Sequence, residues 1–206
     1  METQLELLFP QRGGRRKGAG RQAKGRRPLV SHKARPTFEK AAAVHVTLRV
    51  HEHVWNLRSG RSYRVIKQCF ADGLGRFGLR IIHFSIQGNH LHLIVEADSS
   101  AALSRGMHGL TIRVAKALNR LMDRKGHVFA DHYHSRKLET PTELVNAIAY
   151  VLGNHTHHYG HAGVDPFSSA ALTGDRRERV LSHPHTWLLR SGWRRARTRP
   201  QWLLLL

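Results

Sequence analysis

From Ala41 to Val50 the chain alternates: Val44, Val46, Leu48 and Val50 are apolar, and His45, Thr47 and Arg49 between them are polar. A period of two predicts a half-buried strand. Residues 61–74 change period, with Ile66, Cys69 and Phe70 at helical spacing and a stop at Gly73. Residues 80–87 alternate again, which places Ile82, Phe84 and Ile86 on one face. Gly88-Asn89 is a hairpin signal, and a second strand follows from His90 to Glu96. Within it Leu91, Leu93 and Val95 share one face, while His90 and His92 share the other.

Residues 99–125 form the clearest helix, with Leu103, Met107, Leu110, Val114, Leu118 and Leu121 recurring at steps of three and four. A second face carries Arg105, Arg113, Lys116, Arg120 and Arg124, either a solvated surface or a nucleic-acid contact. A strand is expected around His132–Leu138. Thr140-Pro141-Thr142-Glu143 then reads as a helix start, with proline in the first turn and an early acid. This helix runs through Leu144, Ile148, Val151 and Leu152 and stops near Gly153 or somewhat later. The order β-α-β-β-α-β-α predicts an α+β fold: a ferredoxin-like antiparallel sheet with helices packed on one face.

Charge divides the chain further. Of its 206 residues, 34 are Lys or Arg and 14 Asp or Glu, a net charge of +20. Such a charge repels itself unless a polyanion offsets it, and nucleic acid is the default polyanion. Residues 11–36 hold ten Lys/Arg, five Gly and no acid. That composition cannot bury enough apolar surface to fold alone. We therefore expect residues 1–40 to be a disordered basic arm, with Arg15, Arg16, Lys17, Arg21, Lys24, Arg26 and Arg27 as phosphate contacts. The folded domain is expected over 41–160, and residues 161–206 as a loop-rich basic extension. The single cysteine, Cys69, excludes an internal disulfide framework and fits a reducing cytoplasm. No apolar run approaches the ~18 residues of a membrane span, and Leu7-Leu8-Phe9 is too short for a signal peptide.

Two imidazoles side by side on a strand face suit a divalent metal, although a chain with 17 histidines produces chance pairs. On the last helix Tyr150 and Asn154 lie four residues apart and share a face. A tyrosine so placed is commonly a packing residue. Beside a metal site it is a candidate nucleophile, with Asn154 a candidate third ligand.

His90-Leu91-His92 has the form of a His-hydrophobe-His (HUH) motif, and a helix with a single candidate tyrosine follows. Together with the strand Val44–Val50, the Gly88–Val95 hairpin and Asp131-His132-Tyr133-His134-Ser135-Arg136, these elements resemble the single-tyrosine HUH transposases of the IS200/IS605 type. The closest branch by resemblance is the REP-associated tyrosine transposases. The similarity covers roughly residues 43–160, and departs at His155-Thr156-His157-His158, where many relatives carry Asn-Pro-Val or similar. The resemblance implies a ferredoxin-like fold, metal ligands at His90, His92 and Asn154, and a nucleophile at Tyr150. It implies metal-dependent cleavage and strand transfer of single-stranded DNA near a hairpin or palindromic repeat, through a 5′-phosphotyrosine. Mixed imidazole and amide ligation fits Mg²⁺ or Mn²⁺. Arg113, Lys116, Arg120 and Arg136 are further candidate DNA contacts. The expected protein is bacterial, cytoplasmic and DNA-associated, with no membrane partner, and a monomer or dimer.

Three other readings compete. A histidine-triad nucleotide hydrolase would need a third histidine at position 94, which is Ile94. A zinc site on His132, His134 and the 155–161 histidines matches no standard zinc spacing. A non-catalytic nucleic-acid-binding protein would explain the basic arm equally well.

Overall fold

The computed structural model describes residues 37–160 and 163–197, apart from the side chains of 156–159. The proposed arm contacts Arg15, Arg16, Lys17, Arg21, Lys24, Arg26 and Arg27 lie outside the described residues. Four strands, β1 (Ala42–Arg49), β2 (Leu79–Ile86), β3 (His90–Ala97) and β4 (His134–Leu138), form one sheet in the order β2-β3-β1-β4. Every neighbouring pair is antiparallel. Helix α1 (Gly60–Ala71) links β1 to β2, and α2 (Ser100–Leu121) links β3 to β4. Each crossover skips one position that a strand of the other unit fills. This interleaving is the expected ferredoxin-like topology.

Both linking helices start at a serine cap: Ser59 Oγ accepts from Ser62 N–H at 3.2 Å, and Ser99 Oγ from Ala102 N–H at 3.1 Å. Leu103, Met107, Leu110, Val114 and Leu118 of α2 are buried, as their spacing predicts. With Ile66 and Phe70 of α1 they cover Val44, Val46, Leu48, Leu91, Leu93 and Val95 on one face of the sheet.

Contrary to the expectation from the element order, the helices do not all lie on one face. Helix α3 (Pro141–Tyr159) packs on the opposite face, where Leu144, Val145, Ile148, Val151 and Leu152 bury Ala43, Ile82, Ile94 and Leu138. The reason lies in the strands. Ile94 and Glu96, on the histidine side of β3, are fully buried, so that face needs a cover of its own.

A second difference lies in β2. Its pairing with β3 shifts register between Ile81 and His83. This bulge sends Ile82 into the α3 core, while Phe84 and Ile86 enter the α1/α2 core. The three do not share a face.

The stretch expected as a loop-rich extension packs onto the domain over residues 163–197. Strand β2 is a sheet edge, and this segment covers it. Ser182 N–H donates to Ile81 O and Ile86 N–H to Phe167 O, both at 2.9 Å. Leu172, Val180 and Leu181 enter the first core, and Leu189, Trp193 and Ala196 the second. Two buried carboxylates hold the segment. Asp165 accepts from both terminal guanidinium nitrogens of Arg58, each at 2.9 Å. Glu96 accepts the backbone N–H groups of His185 and Thr186, each at 2.7 Å.

Candidate active site

The Gly88-Asn89 turn sets the phase of β3. Gln87 N–H donates to His90 O at 2.9 Å and closes the hairpin. Both turn carbonyls are used from outside: Leu57 N–H donates to Gly88 O and Val50 N–H to Asn89 O, each at 2.9 Å. Alternation from this fixed start puts His90 and His92 on the α3 face. Directly opposite on β1 stand Arg49 and Thr47, and His45 stands opposite Ile94. Strand β4 adds His134 opposite Thr47 and Arg136 opposite His45. The polar half of the β1 alternation therefore lies in the site.

The rings form one cluster. His90 and His92 are edge to face, with centroids 4.7 Å apart. His45 stacks on His92 at 5.5 Å. The Tyr150 ring stands edge-on to His92 at 5.2 Å and to His45 at 5.9 Å. Asn89 Oδ1 lies 2.7 Å from His90 Nδ1, and an amide oxygen accepts, so His90 donates Nδ1–H. Thr47 Oγ1 lies 3.2 Å from His92 Nδ1, with His45 Nε2 at 3.3 Å from the same atom. The acceptor oxygen on His90 Nδ1 favours, for that ring, the tautomer with its lone pair on Nε2, the arrangement that supports metal-ligating histidines; the Thr47 hydroxyl can donate to His92 Nδ1 or accept from it. Burial lowers the His45 pKa to about 4, helped by nearby His134 and Arg136, so His45 is a neutral imidazole at pH 7.

Helix α3 begins where Thr140 and Glu143 cap each other. Glu143 N–H donates to Thr140 Oγ1 at 3.2 Å, and Thr140 N–H to Glu143 Oε2 at 3.3 Å. Glu139 N–H also donates to that carboxylate, and Arg136 reaches it from β4 at 3.1 Å. The backbone donors, then Arg136, hold the Glu143 pKa below its usual value. With its start pinned and its apolar face on Ile94, the helix brings Tyr150 over His92. Tyr150 is 49 % exposed; Asn154, one turn on, is 2 % exposed. The Asn154 Nδ2 is buried without a hydrogen-bond partner among the described residues.

Those features test the expected ligand set. Two imidazoles side by side, each with a partner at Nδ1, suit a divalent cation. Among the described residues, no group of three or more His, Cys, Asp or Glu is placed to hold one.

The candidate DNA contacts divide. Arg136 is exposed on the site face, and a groove of about 280 Å³ beside it is lined by His45, Arg136, Glu143, Asn146 and Tyr150. Arg113, Lys116 and Arg120 ride on α2, across the sheet from Tyr150. Arg113 is half-buried, its guanidinium packed where a side chain at Gly73 would sit. The structure does not bring these three to the tyrosine. His45 and Thr47 were not singled out from sequence, although their period-two spacing on β1 is the signal that exposes them.

A comparison with curated protein sequences returns no match. Among solved structures, the fold is similar to a REP-associated tyrosine transposase bound to a REP hairpin. The TM-score is 0.56 at 13 % identity, over 68 % of this chain and 82 % of that one. A candidate transposase from Deinococcus radiodurans aligns with a TM-score of 0.41 at 12 % identity, over 65 % of this chain and 98 % of that one. The family described as "Transposase IS200 like" matches residues 40–153, from the start of the sheet to the turn of α3 that carries Tyr150. That span is more than half of the chain and contains both histidines and the tyrosine; the chain belongs to the IS200-like transposase family.

Proposed function

We propose that this transposase is a single-tyrosine HUH endonuclease of the REP-associated type. It cleaves and rejoins single-stranded DNA beside a hairpin or palindromic repeat. The observation that carries this reading is the placement of Tyr150 against His92, from a separate helix docked on the histidine face. His90, His92 and the side-chain amide of Asn154 would hold Mg²⁺ or Mn²⁺. When bound, such an ion supplies positive charge to a non-bridging phosphate oxygen.

The chain's own residues account for the rest. Tyr150 Oη attacks phosphorus, and the bond from phosphorus to the 3′ oxygen breaks. The phenolic proton leaves to water, which the half-exposed ring admits, and the departing 3′ oxygen takes up a proton. The products are a 5′-phosphotyrosine and a free 3′ hydroxyl. Reversal with another 3′ hydroxyl rejoins the strand without a nucleotide cofactor, because the phosphodiester bond is conserved as an ester. Helix α3 keeps the nucleophile in a near-attack position, which a loop would hold less firmly. Arg136 lies beside the ring, at the groove, to receive the backbone of the strand.

The test is incubation of labelled single-stranded hairpin DNA with Mg²⁺ or Mn²⁺, followed by denaturing electrophoresis. The wild type is expected to give a protein–DNA band that survives denaturation, and Tyr150→Phe none. A band that persists in Tyr150→Phe moves the nucleophile elsewhere. No band from the wild type, on palindromes flanking its own gene, favours a non-catalytic DNA-binding protein.

A further inference from the structure

An exposed aromatic residue stands at the end of the sheet nearest His90, outside the site described. Trp55 is 46 % exposed; a lone exposed apolar side chain is ordinary, and its setting is what singles this one out. Its loop is not slack. Val54 and Leu57 on either side are buried. Leu57 N–H donates to Gly88 O, and Trp55 N–H points at Met122 Sδ at 3.4 Å. The loop thus grips the hairpin turn that starts the histidine strand, and displays Trp55 from a fixed base.

Around it lies a cluster of cations and imidazoles. The rings of His51 and His53 stack at 5.1 Å. Arg124 Nη2 lies 2.7 Å from His53 Nε2 and donates to His127 O at 3.2 Å. Lys125 is exposed beside them, and Arg49 is exposed opposite His90 in the sheet. Glu52 and Asp123 are the acids of this region. Five residues lie between Arg49 and Trp55, so their Cα atoms are within about 22 Å even at full chain extension.

We infer that Trp55 is a stacking platform for an unpaired base of the single-stranded flank, with Arg49 and Lys125 receiving the adjoining phosphates. Aromatic faces interleaved with cations are what single-stranded nucleic acid requires, since every base offers a π-face. A paired hairpin stem hides its base faces and gains little from such a platform. The inference rests on the proposed DNA substrate, but not on the tyrosine chemistry.

The test uses full-length Tyr150→Phe protein, which separates binding from covalent capture. Affinity is measured by fluorescence anisotropy for a blunt hairpin and for the same hairpin with a single-stranded flank. Adding Trp55→Ala is expected to weaken binding of the flanked hairpin about tenfold, the scale of one lost base–aromatic stack. Blunt-hairpin affinity should be unchanged, and Trp55→Phe should restore most of the flank preference. Trp187→Ala removes another exposed tryptophan, 53 % exposed on the far C-terminal segment, and should have no effect. Equal losses for blunt and flanked DNA, equal losses in Trp55→Ala and Trp187→Ala, or no loss at all would each overturn the inference. The phosphotyrosine reading fails separately, by absence of a covalent band in protein that retains Trp55.

Discussion

The hydroxyl of Thr47 lies 3.2 Å from Nδ1 of His92, joining residues 45 positions apart in sequence and directly opposite in the sheet. This contact engages Nδ1 of the ring; in the proposed site Nε2 would be the atom that meets the metal. Partners of this kind commonly change metal affinity by about 10–100-fold when removed. Thr47→Val keeps the shape and loses the hydroxyl. Its Mn²⁺ affinity, measured by calorimetry, should fall within that range, while Thr47→Ser stays near wild type. Equal affinities for all three would show that the hydroxyl does not position His92.

His90 and His92 are expected to serve chemistry, with affinity arising from the basic surface. His90→Ala and His92→Ala should each abolish the covalent band and leave hairpin affinity within about twofold, well under 1 kcal/mol. Full cleavage by both variants in the presence of a chelator would exclude a metal held by these residues.

Acid sensitivity follows from buried imidazoles. Burial, with Arg177 nearby, lowers the His83 pKa from 6.5 to about 3. The folded state therefore holds His83 neutral, while the unfolded chain binds a proton below pH 6.5. Stability is fully present above that value and declines as pH falls toward the folded value. His45, lowered to about 4, acts in the same direction. The unfolding free energy obtained from urea titrations should drop between pH 6.5 and pH 4, by about 3 kcal/mol at most for each of the two imidazoles. His83→Gln should flatten part of that drop; an unchanged slope would assign the acid sensitivity to other groups.

Arg58 and Asp165 form a pair whose carboxylate is fully buried. Arg58 also donates to Ile86 O at 3.1 Å, beside the hairpin that carries His90. Asp165→Ala removes the carboxylate from this pair, a change that typically destabilises by about 3–5 kcal/mol. Chemical denaturation should report a loss of that order, and hydrogen exchange at Gly88–His90 should speed up. Protection unchanged at the turn would mean that the C-terminal segment does not brace it.

The basic arm makes a salt-dependent prediction. Residues 11–36 carry ten positive charges and no acid. Deleting them should weaken single-stranded DNA binding and flatten its salt dependence, by a slope of about 0.7 for each phosphate that the arm neutralises. An unchanged slope in the truncated protein would remove the arm from the interface.

Much of the scaffold was legible in one dimension because its signals are local. Alternation identified β1 and β3, the three–four spacing identified α2, and Thr140, Pro141 and Glu143 marked the start of α3. Period two is enough to put His90 and His92 on one face, and one helical turn is enough to relate Tyr150 to Asn154. Each of these statements concerns residues a few positions apart, where backbone geometry leaves little choice.

What periodicity cannot convey is which surface an element meets. A pattern says that α3 has an apolar face, but the side of the sheet it covers depends on both faces of β3 being buried, a property of the assembled sheet. That choice set Tyr150 over His92 and left Arg113, Lys116 and Arg120 across the sheet. The β2 bulge is likewise a matter of register with β3, so Ile82 parts from Phe84 and Ile86 although all three alternate. His45 and Thr47 join the site through strand pairing over more than 40 residues. The segment from Asp165 onward reads as loop because its order comes from an edge strand, from Arg58 and from the buried Glu96, all elsewhere in the chain. Local geometry follows from neighbours in sequence; the site follows from which surfaces must be buried together.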